Sequence, residues 1–305
     1  MNKTAGFGTG VAAGLAAVVI WGAQVPVAKA AYQNIDPYSL MAIRYLVAAL
    51  LLMAFLAWRQ GLAAFSLGPH PYRLAFAGVL GMAGSPLLFF VGLAYTQPEH
   101  AVIIVALQPT LAALAQWWLQ GRRPAAFTLG AIAVAFAGVV LVVAAPGAGA
   151  GNSTLFGDIM VFAGAFCWLT YSMMLSGFPG FGALRFTTLT CGFGTLGILI
   201  VTGLAYLIGL AGPPALPDLV VVAPHLTFLS VFGVAVSMLI WNYGNAQIGV
   251  LNSMLLINLM PVVTYSIRYL EGARFGWHEW TGAALVVGAL LANNLYERMK
   301  GRPHR

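Results

Sequence analysis

Charged side chains are scarce in this chain. Only 7% of its 305 residues are Asp, Glu, Lys or Arg, whereas 61% are hydrophobic. Soluble domains carry about 25% charged residues, so this composition excludes a water-soluble globular protein. Only helices and closed barrels can cross lipid with their backbone polar groups satisfied. The apolar runs are continuous and do not alternate with period two, which excludes an outer-membrane barrel. We therefore predict an all-α integral membrane protein.

Cysteines and clusters of histidine or acid are also rare. Cys167 and Cys191 each lie within an apolar run, which is typical of small packing residues and not of a disulfide or a metal site. The five histidines are scattered and mostly solitary. The sequence therefore predicts no enzyme, cofactor or metal site. Although the net charge is +7, the basic residues lie at the ends of apolar runs and form no patch, so we expect no nucleic-acid partner.

Ten stretches are long and apolar enough to cross a bilayer, which takes about 20 residues. They cover residues 8–31, 37–60, 71–96, 100–120, 125–145, 154–176, 183–209, 222–247, 250–271 and 277–299. The longest predicted connection, residues 210–221, is rich in proline. The apolar region of the first stretch is too long for a signal peptide, so we expect it to be retained.

The distribution of Lys and Arg predicts the orientation of these spans. If both termini are cytoplasmic, most of the 14 basic residues fall on the cytoplasmic side, where loops carry an excess of Lys and Arg. We therefore expect a multi-pass protein of the bacterial inner (plasma) membrane, embedded in the lipid bilayer as a monomer.

The chain carries an internal repeat. Gly10 and Trp21 have the same separation as Gly157 and Trp168, at an offset of 147 residues. At an offset of 152 residues, three more pairs match: Gly92 with Gly244, Pro109 with Pro261, and Gly130 with Gly282. Each half holds five predicted spans, an odd number, so the second half is inverted. We predict two inverted five-helix repeats, residues 1–147 and 148–305, an architecture found in secondary transporters.

Several motifs resemble those of the drug/metabolite transporter superfamily, in its ten-span branch with paired EamA-type domains. They are Trp21-Gly22, Leu107-Gln108-Pro109-Thr110, Gly157-Asp158 and Leu259-Met260-Pro261-Val262. The chain departs from the family at Gly121, which is followed by Arg122 where a Gly-Glu pair is usual. The segment Trp241-Asn242-Tyr243-Gly244 is similar to exporters of aromatic amino acids. The resemblance implies export of small metabolites, with amino acids and especially aromatic ones expected, by alternating access.

Polar and aromatic residues within equivalent spans predict the substrate site, because polar groups in hydrocarbon tend to face a cavity or a partner. The alternative is hydrogen bonding between helices, or an interfacial position for the tryptophans. The candidate residues are Trp21, Gln24, Tyr95, Gln108, Trp168, Tyr171, Trp241, Asn242, Asn245, Asn252 and Asn258. An aromatic pocket would suit a substrate with a ring.

Pro109 and Pro261 lie near the middle of matched spans and are candidate hinges, or else plain kinks. Arg44 lies within a span, where it can pair with Asp36, reach the interface or bind a carboxylate. Arg268 is expected near Glu271.

No Asp or Glu falls at the middle of a predicted span. Asp158 is one of the two acids nearest to a mid-span position, and it lies within two turns of a span end. Proton antiporters commonly use a mid-span acid. The sequence therefore favours a uniporter driven by the substrate gradient. The alternatives are a proton-coupled drug or metabolite antiporter and a membrane scaffold that transports nothing.

Overall fold

The computed structural model describes residues 3–121, 125–143, 152–178 and 180–300. This part of the chain is helical and contains no strand. Its α-helices are α1 (Lys3–Ala31), α2 (Pro37–Gln60), α3 (Pro71–Ala77), α4 (Ser85–Tyr95), α5 (Pro98–Val105), α6 (Gln108–Gln120), α7 (Ala126–Val143), α8 (Asn152–Met174), α9 (Ala183–Leu207), α10 (Leu216–Thr227), α11 (Ser237–Ile248), α12 (Val250–Leu256), α13 (Met260–Leu270) and α14 (Trp277–Lys300). The predicted boundary between the two halves, at residues 147 and 148, lies outside the described residues.

Within the described residues, seven helical segments are long and apolar enough to cross a membrane, and the apolar helix Ala126–Val142 is shorter. The all-α membrane class is thus confirmed. The predicted count of ten stays a prediction, because α5 and α6 form a broken helix and α14 is more polar than the others.

Two long helices contain a π-helical segment. Gly78–Gly84 joins α3 to α4, and Phe228–Val236 joins α10 to α11, so each pair forms one continuous rod. A π-helical segment widens the helix locally and frequently marks a functional site. The two segments fall in spans that the repeat predicts to be equivalent.

The prediction of a loop over residues 210–221 was wrong, because α10 already begins at Leu216. Pro217 lies in the first turn of α10, where the missing backbone N–H of proline costs no helical hydrogen bond. Asp218 lies in the same turn, where a negative charge suits the helix dipole.

The predicted spans 100–120 and 250–271 are each interrupted. Residues 106–107 separate α5 from α6, and the 3₁₀ turn Ile257–Leu259 separates α12 from α13. Pro109 and Pro261 lie in the first turns of α6 and α13. They therefore begin new helices directly after the breaks and do not kink continuous ones.

The helices pack in pairs across the molecule: α1 on α11, α4 on α8, α2 on α9 and α7 on α14. Backbones touch in the first two pairs. A Cβ atom on Gly157 would lie 2.6 Å from the carbonyl oxygen of Gly92, and one on Gly244 would lie 2.8 Å from that of Gly10. Small residues permit this close approach of membrane helices.

Candidate functional site

A cavity of about 80 Å³ lies between the helices near the middle of the molecule. It can hold several water molecules, since one needs at least about 10–15 Å³. Its wall is formed by Trp21, Gln24, Arg44, Tyr45, Gly81, Ser85, Pro86, Phe89, Phe90, Val105, Gln108, Gly164, Ala165, Trp168, Met238, Ile257 and Met260. A mostly apolar wall with a few polar groups is typical of sites for small organic ligands.

Arg44 is the only side chain with a fixed charge in this wall, and it is 1% exposed. Its Nη2 donates to Oε1 of Gln24 at 2.7 Å, and its guanidinium lies 4.4 Å from the ring centre of Phe90. Its Nε has no hydrogen-bond partner, and no Asp or Glu of the described residues forms an ion pair with it. The cation is therefore held by one neutral amide and an aromatic face.

Arg44 does not pair with Asp36, which was one of the three alternatives that the sequence left open. Asp36 instead caps α2, where its Oδ1 accepts from the backbone N–H groups of Tyr38 and Ser39 at 2.9 Å each. Extension of Arg44 to the interface is also excluded by its burial. The contacts that Arg44 does make are with Gln24 and Phe90, beside the cavity.

Three tryptophans form one cluster beside the cavity. The ring centres of Trp21 and Trp168 are 5.2 Å apart, and that of Trp241 lies 4.9 Å from Trp21 and 6.2 Å from Trp168. The indole Nε1 of Trp21 donates to Oγ of Ser237 at 2.9 Å, which fixes its orientation. Trp21 and Trp168 line the cavity, whereas Trp241 packs against both rings and is not part of the cavity wall.

Gln108 is the remaining predicted site residue in the cavity wall. Its Nε2 donates to the carbonyl oxygen of Ala165 at 3.1 Å, which fixes the amide against α8. Its Oε1 is buried and has no partner. An amide oxygen without a partner beside a cavity can accept a hydrogen bond from a ligand or from water.

Three predicted site residues, Tyr171, Asn242 and Asn245, form contacts between helices and are absent from the cavity wall. Nδ2 of Asn242 donates to the Tyr171 hydroxyl at 2.9 Å and to Oγ1 of Thr187 at 2.8 Å. Nδ2 of Asn245 donates to the carbonyl oxygen of Ser172 at 3.2 Å. These bonds join α11 to α8 and α9.

The last three predicted residues lie elsewhere. Tyr95 is 47% exposed and contacts Phe156. Asn252 is exposed and donates to the carbonyl oxygen of Ile248 at 2.8 Å. Asn258 is buried in the break between α12 and α13, and its Oδ1 has no partner. The structure thus brings Trp21, Gln24, Gln108 and Trp168 together in one wall and places the others outside it.

Sequence reasoning missed the α4 residues of the wall and gave Arg44 too little weight. On α4, Phe89 lies one turn after Ser85 and Phe90 lies one turn after Pro86, and all four residues line the cavity. Nothing in the sequence shows which face of an all-apolar helix meets a cavity. Tertiary packing decides which side chains surround Arg44, so the sequence does not show that no carboxylate of the described residues pairs with it.

Ionisable groups gather at one end of α1, α5, α8 and α13. Arg268 bonds Glu99 at 2.9 Å and Glu271 at 2.8 Å, so the expected proximity to Glu271 is confirmed. Asp158 is buried, and its Oδ2 lies 3.5 Å from Nδ1 of His100. His100 is therefore a histidine with an acidic neighbour.

A multi-pass membrane protein that is helical throughout its described residues, with a mostly apolar cavity between the helices, has the form of a small-molecule transporter. Comparison with known proteins gives the family. Residues 8–144 and 155–295 each match the EamA-like transporter family. The chain belongs to the EamA-like transporter family.

Relatives with high coverage are transporters whose substrates are not named. The uncharacterized transporter YrdR of Bacillus subtilis is 29% identical over 93% of this chain and 90% of its own length. The uncharacterized transporter YyaM of the same organism is 31% identical over 91% of each chain. A solved crystal structure with 21% identity superposes with a TM-score of 0.70 over 97% of this chain and 99% of the other, and it shares the fold.

Proposed function

We propose that this transporter exports small amphipathic carboxylates across the bacterial inner membrane, with aromatic amino acids preferred, and that both termini are cytoplasmic. The observation that carries the proposal is Arg44, a buried cation at the cavity wall without a carboxylate partner among the described residues. The expected cycle is alternating access, in which the cavity opens to one side of the membrane at a time.

The charge of Arg44 argues for an anionic group on the substrate. A buried charge costs several kcal/mol unless it is paired and hydrogen-bonded (roughly 3 kcal/mol on membrane-insertion scales). Guanidinium is always protonated in proteins, so this cost cannot be removed by loss of the proton. A substrate carboxylate would supply the missing counter-ion and could accept from the free Nε and from Nη1 together.

The rest of the wall argues for an apolar or aromatic body. Phe89, Phe90, Trp21 and Trp168 present rings to the cavity. Rings prefer edge-to-face or offset contacts worth about 0.5–1.5 kcal/mol each beyond their burial. Oε1 of Gln108 is free to accept from a substrate amine. A carboxylate, an amine and a ring together describe an aromatic amino acid.

The cavity volume of about 80 Å³ is small beside the 300 Å³ or more of ordinary ligand sites, so binding of such a substrate requires the helices around it to separate. Such movement is what alternating access provides. The proposed hinges are Pro109 and Pro261. They lie just after the helix breaks at residues 106–107 and 257–259.

The inverted repeat is also part of the proposal, with repeats 1–147 and 148–305. Under the offsets of 147 and 152 residues, the close contact of Gly92 with Gly157 corresponds to that of Gly244 with Gly10. The same offsets place the two π-helical segments and the two helix breaks in corresponding spans. Both observations support a pseudo-two-fold axis through the cavity.

Counterflow into proteoliposomes tests the function. Vesicles loaded with unlabelled L-phenylalanine should transiently accumulate labelled L-phenylalanine. We expect L-tryptophan and L-tyrosine to compete and phenylalaninamide, which lacks the carboxylate, to compete far less. A membrane scaffold would give the flux of protein-free vesicles. Equal competition by the amide would contradict the role of Arg44 even if transport occurs.

A further inference from the structure

A second set of buried polar groups lies outside the cavity wall. His100 on α5 and Asp158 on α8 are 1% and 6% exposed. Nδ1 of His100 lies 3.5 Å from Oδ2 of Asp158. The pair joins the two segments that match the transporter family, since one residue belongs to each. It sits at a contact that must change if those segments move relative to each other.

The hydrogen bonds of the pair are incomplete. Oδ1 of Asp158 accepts from Oγ1 of Thr96 at 2.5 Å, whereas Oδ2 has no hydrogen-bond partner. Neither ring nitrogen of His100 has one among the described residues. Ionisable groups inside a membrane are costly, and pairs of acid and histidine there are suited to binding and releasing protons.

The other charged groups nearby are already engaged. Glu99 pairs with Arg268 of α13, which also pairs with Glu271. Nζ of Lys29 on α1 donates to the carbonyl oxygens of residues 93, 94 and 96. The remaining titratable side chains of the packed elements are Tyr95 on α4, Tyr265 and Tyr269 on α13, and Cys167 and Tyr171 farther along α8. Neither α6 nor α7 has a titratable side chain. Among the described residues, His100 is therefore the ionisable partner of Asp158, beside the hydroxyl of Thr96.

The position of the pair links it to the cavity. Asp158 follows Gly157, which touches the backbone of Gly92 on α4. Thr96, the donor to Asp158, directly follows the end of α4. The same two helices carry the ring walls of the cavity, Phe90 on α4 and Trp168 on α8. A change of charge at the pair therefore acts on the helix contact that borders the cavity.

We propose that His100 and Asp158 form a proton-binding site and that the transporter exchanges a proton for its substrate. This inference rests on the proposed transport function. A proton from water on the outer side adds to Nδ1 of neutral His100. The resulting imidazolium forms an ion pair with the Asp158 carboxylate and draws α5 toward α8. The proton leaves to water on the opposite side, which restores the neutral ring, so no other reactant is needed.

The experiment distinguishes substrate counterflow, which needs no proton, from substrate transport that is coupled to protons. Proteoliposomes are given a gradient of one pH unit, with the membrane potential clamped by potassium and valinomycin, and accumulation of L-phenylalanine is measured. With one proton per substrate, the gradient supports about a tenfold concentration ratio, because one pH unit equals a tenfold change in an equilibrium. The wild type should approach that ratio. D158N and H100Q should retain counterflow at equal pH and give a ratio near one.

D218N is the matched control, since Asp218 is an acid in the first turn of α10 and outside the pair. It should accumulate substrate like the wild type. Wild-type counterflow without any response to the pH gradient would overturn the proton site while leaving the proposed function intact. An unchanged response in D158N and H100Q would overturn it as well. Absence of counterflow in the wild type would contradict the proposed substrate instead.

A second measurement judges the proton site without a substrate. Histidine ring nitrogens are labelled with ¹⁵N, and the NMR signal of His100 is identified by its loss in H100Q. We expect this signal to change from the protonated to the neutral form when the pH is raised, and D158N to alter that change. A ring that keeps one charge state throughout, in folded protein, would overturn the proposal.

Discussion

Replacement of Arg44 by methionine separates a role in binding from a role in folding. Methionine keeps an unbranched chain and removes the charge and the donors. In the wild type, Arg44 has one hydrogen bond to Gln24 and a contact with the ring of Phe90 as its main partners. If a carboxylate completes the site, then R44M should lose binding of carboxylate substrates while the fold is kept.

The expected loss is large. Removal of one partner from a buried, hydrogen-bonded charge pair costs about 2–5 kcal/mol. At about 1.4 kcal/mol per factor of ten, this weakens the apparent affinity by at least about 30-fold. The stability effect should have the opposite sign or be absent, because a buried charge without an ion-pair partner costs several kcal/mol, which R44M removes.

The assay is competition for labelled L-tryptophan binding to detergent-purified protein, with phenylalanine and phenylalaninamide as competitors. The wild type should prefer the acid to the amide, and R44M should lose that preference. Thermal unfolding of the same samples reports stability. An unchanged acid-to-amide ratio in R44M would refute the assignment of Arg44 as the carboxylate site. A large fall in the unfolding temperature would indicate that Arg44 holds the fold instead.

Three further predictions address the wall and the packing around it. W168L should weaken L-tryptophan binding more than binding of a small amino acid such as L-alanine, since it removes one ring of the wall, and the same competition assay measures this. N242L should lower the unfolding temperature without changing the acid-to-amide ratio, because Asn242 bonds Tyr171 and Thr187 and is absent from the cavity wall; an altered ratio with normal stability would contradict this. G157A should destabilise the protein by about 1–3 kcal/mol in thermal unfolding, because its Cβ would lie 2.6 Å from a backbone oxygen. G203A is the control: its Cβ would meet nothing within 4 Å, so it should be neutral or stabilising.

The long apolar helices could be predicted from the sequence, and their breaks could not. The bounds of α2 agree with the predicted span because Pro37 and Gly61 mark its ends. The break at residues 106–107 lies in a run of apolar residues without Gly, and its existence depends on how α5 and α6 pack. Pro109 marked this region, yet proline is compatible with a kink and with a helix start, so the sequence alone could not choose.

The candidate site could be predicted only in part for a similar reason. Polarity within a span identifies Gln24 and Gln108, but it identifies Asn242 equally, although Asn242 bonds neighbouring helices. Asp158 lies near a span end, as the sequence indicated, but its burial against α5 could not be read from its position. The preference for a uniporter depends on the absence of an acid at the middle of a span and stays a prediction, whereas the buried Asp158 near a span end is the basis of the competing proton-coupled proposal.

A structure of the transporter with bound L-tryptophan tests the central claim most directly. We expect the substrate carboxylate to lie at about 2.7–2.9 Å from the guanidinium nitrogens of Arg44. The indole should lie among Trp21, Trp168 and Phe90, in a cavity wider than the present one of about 80 Å³. A substrate bound elsewhere, or bound here with its carboxylate turned away while Arg44 keeps only Gln24 as a partner, would contradict the account.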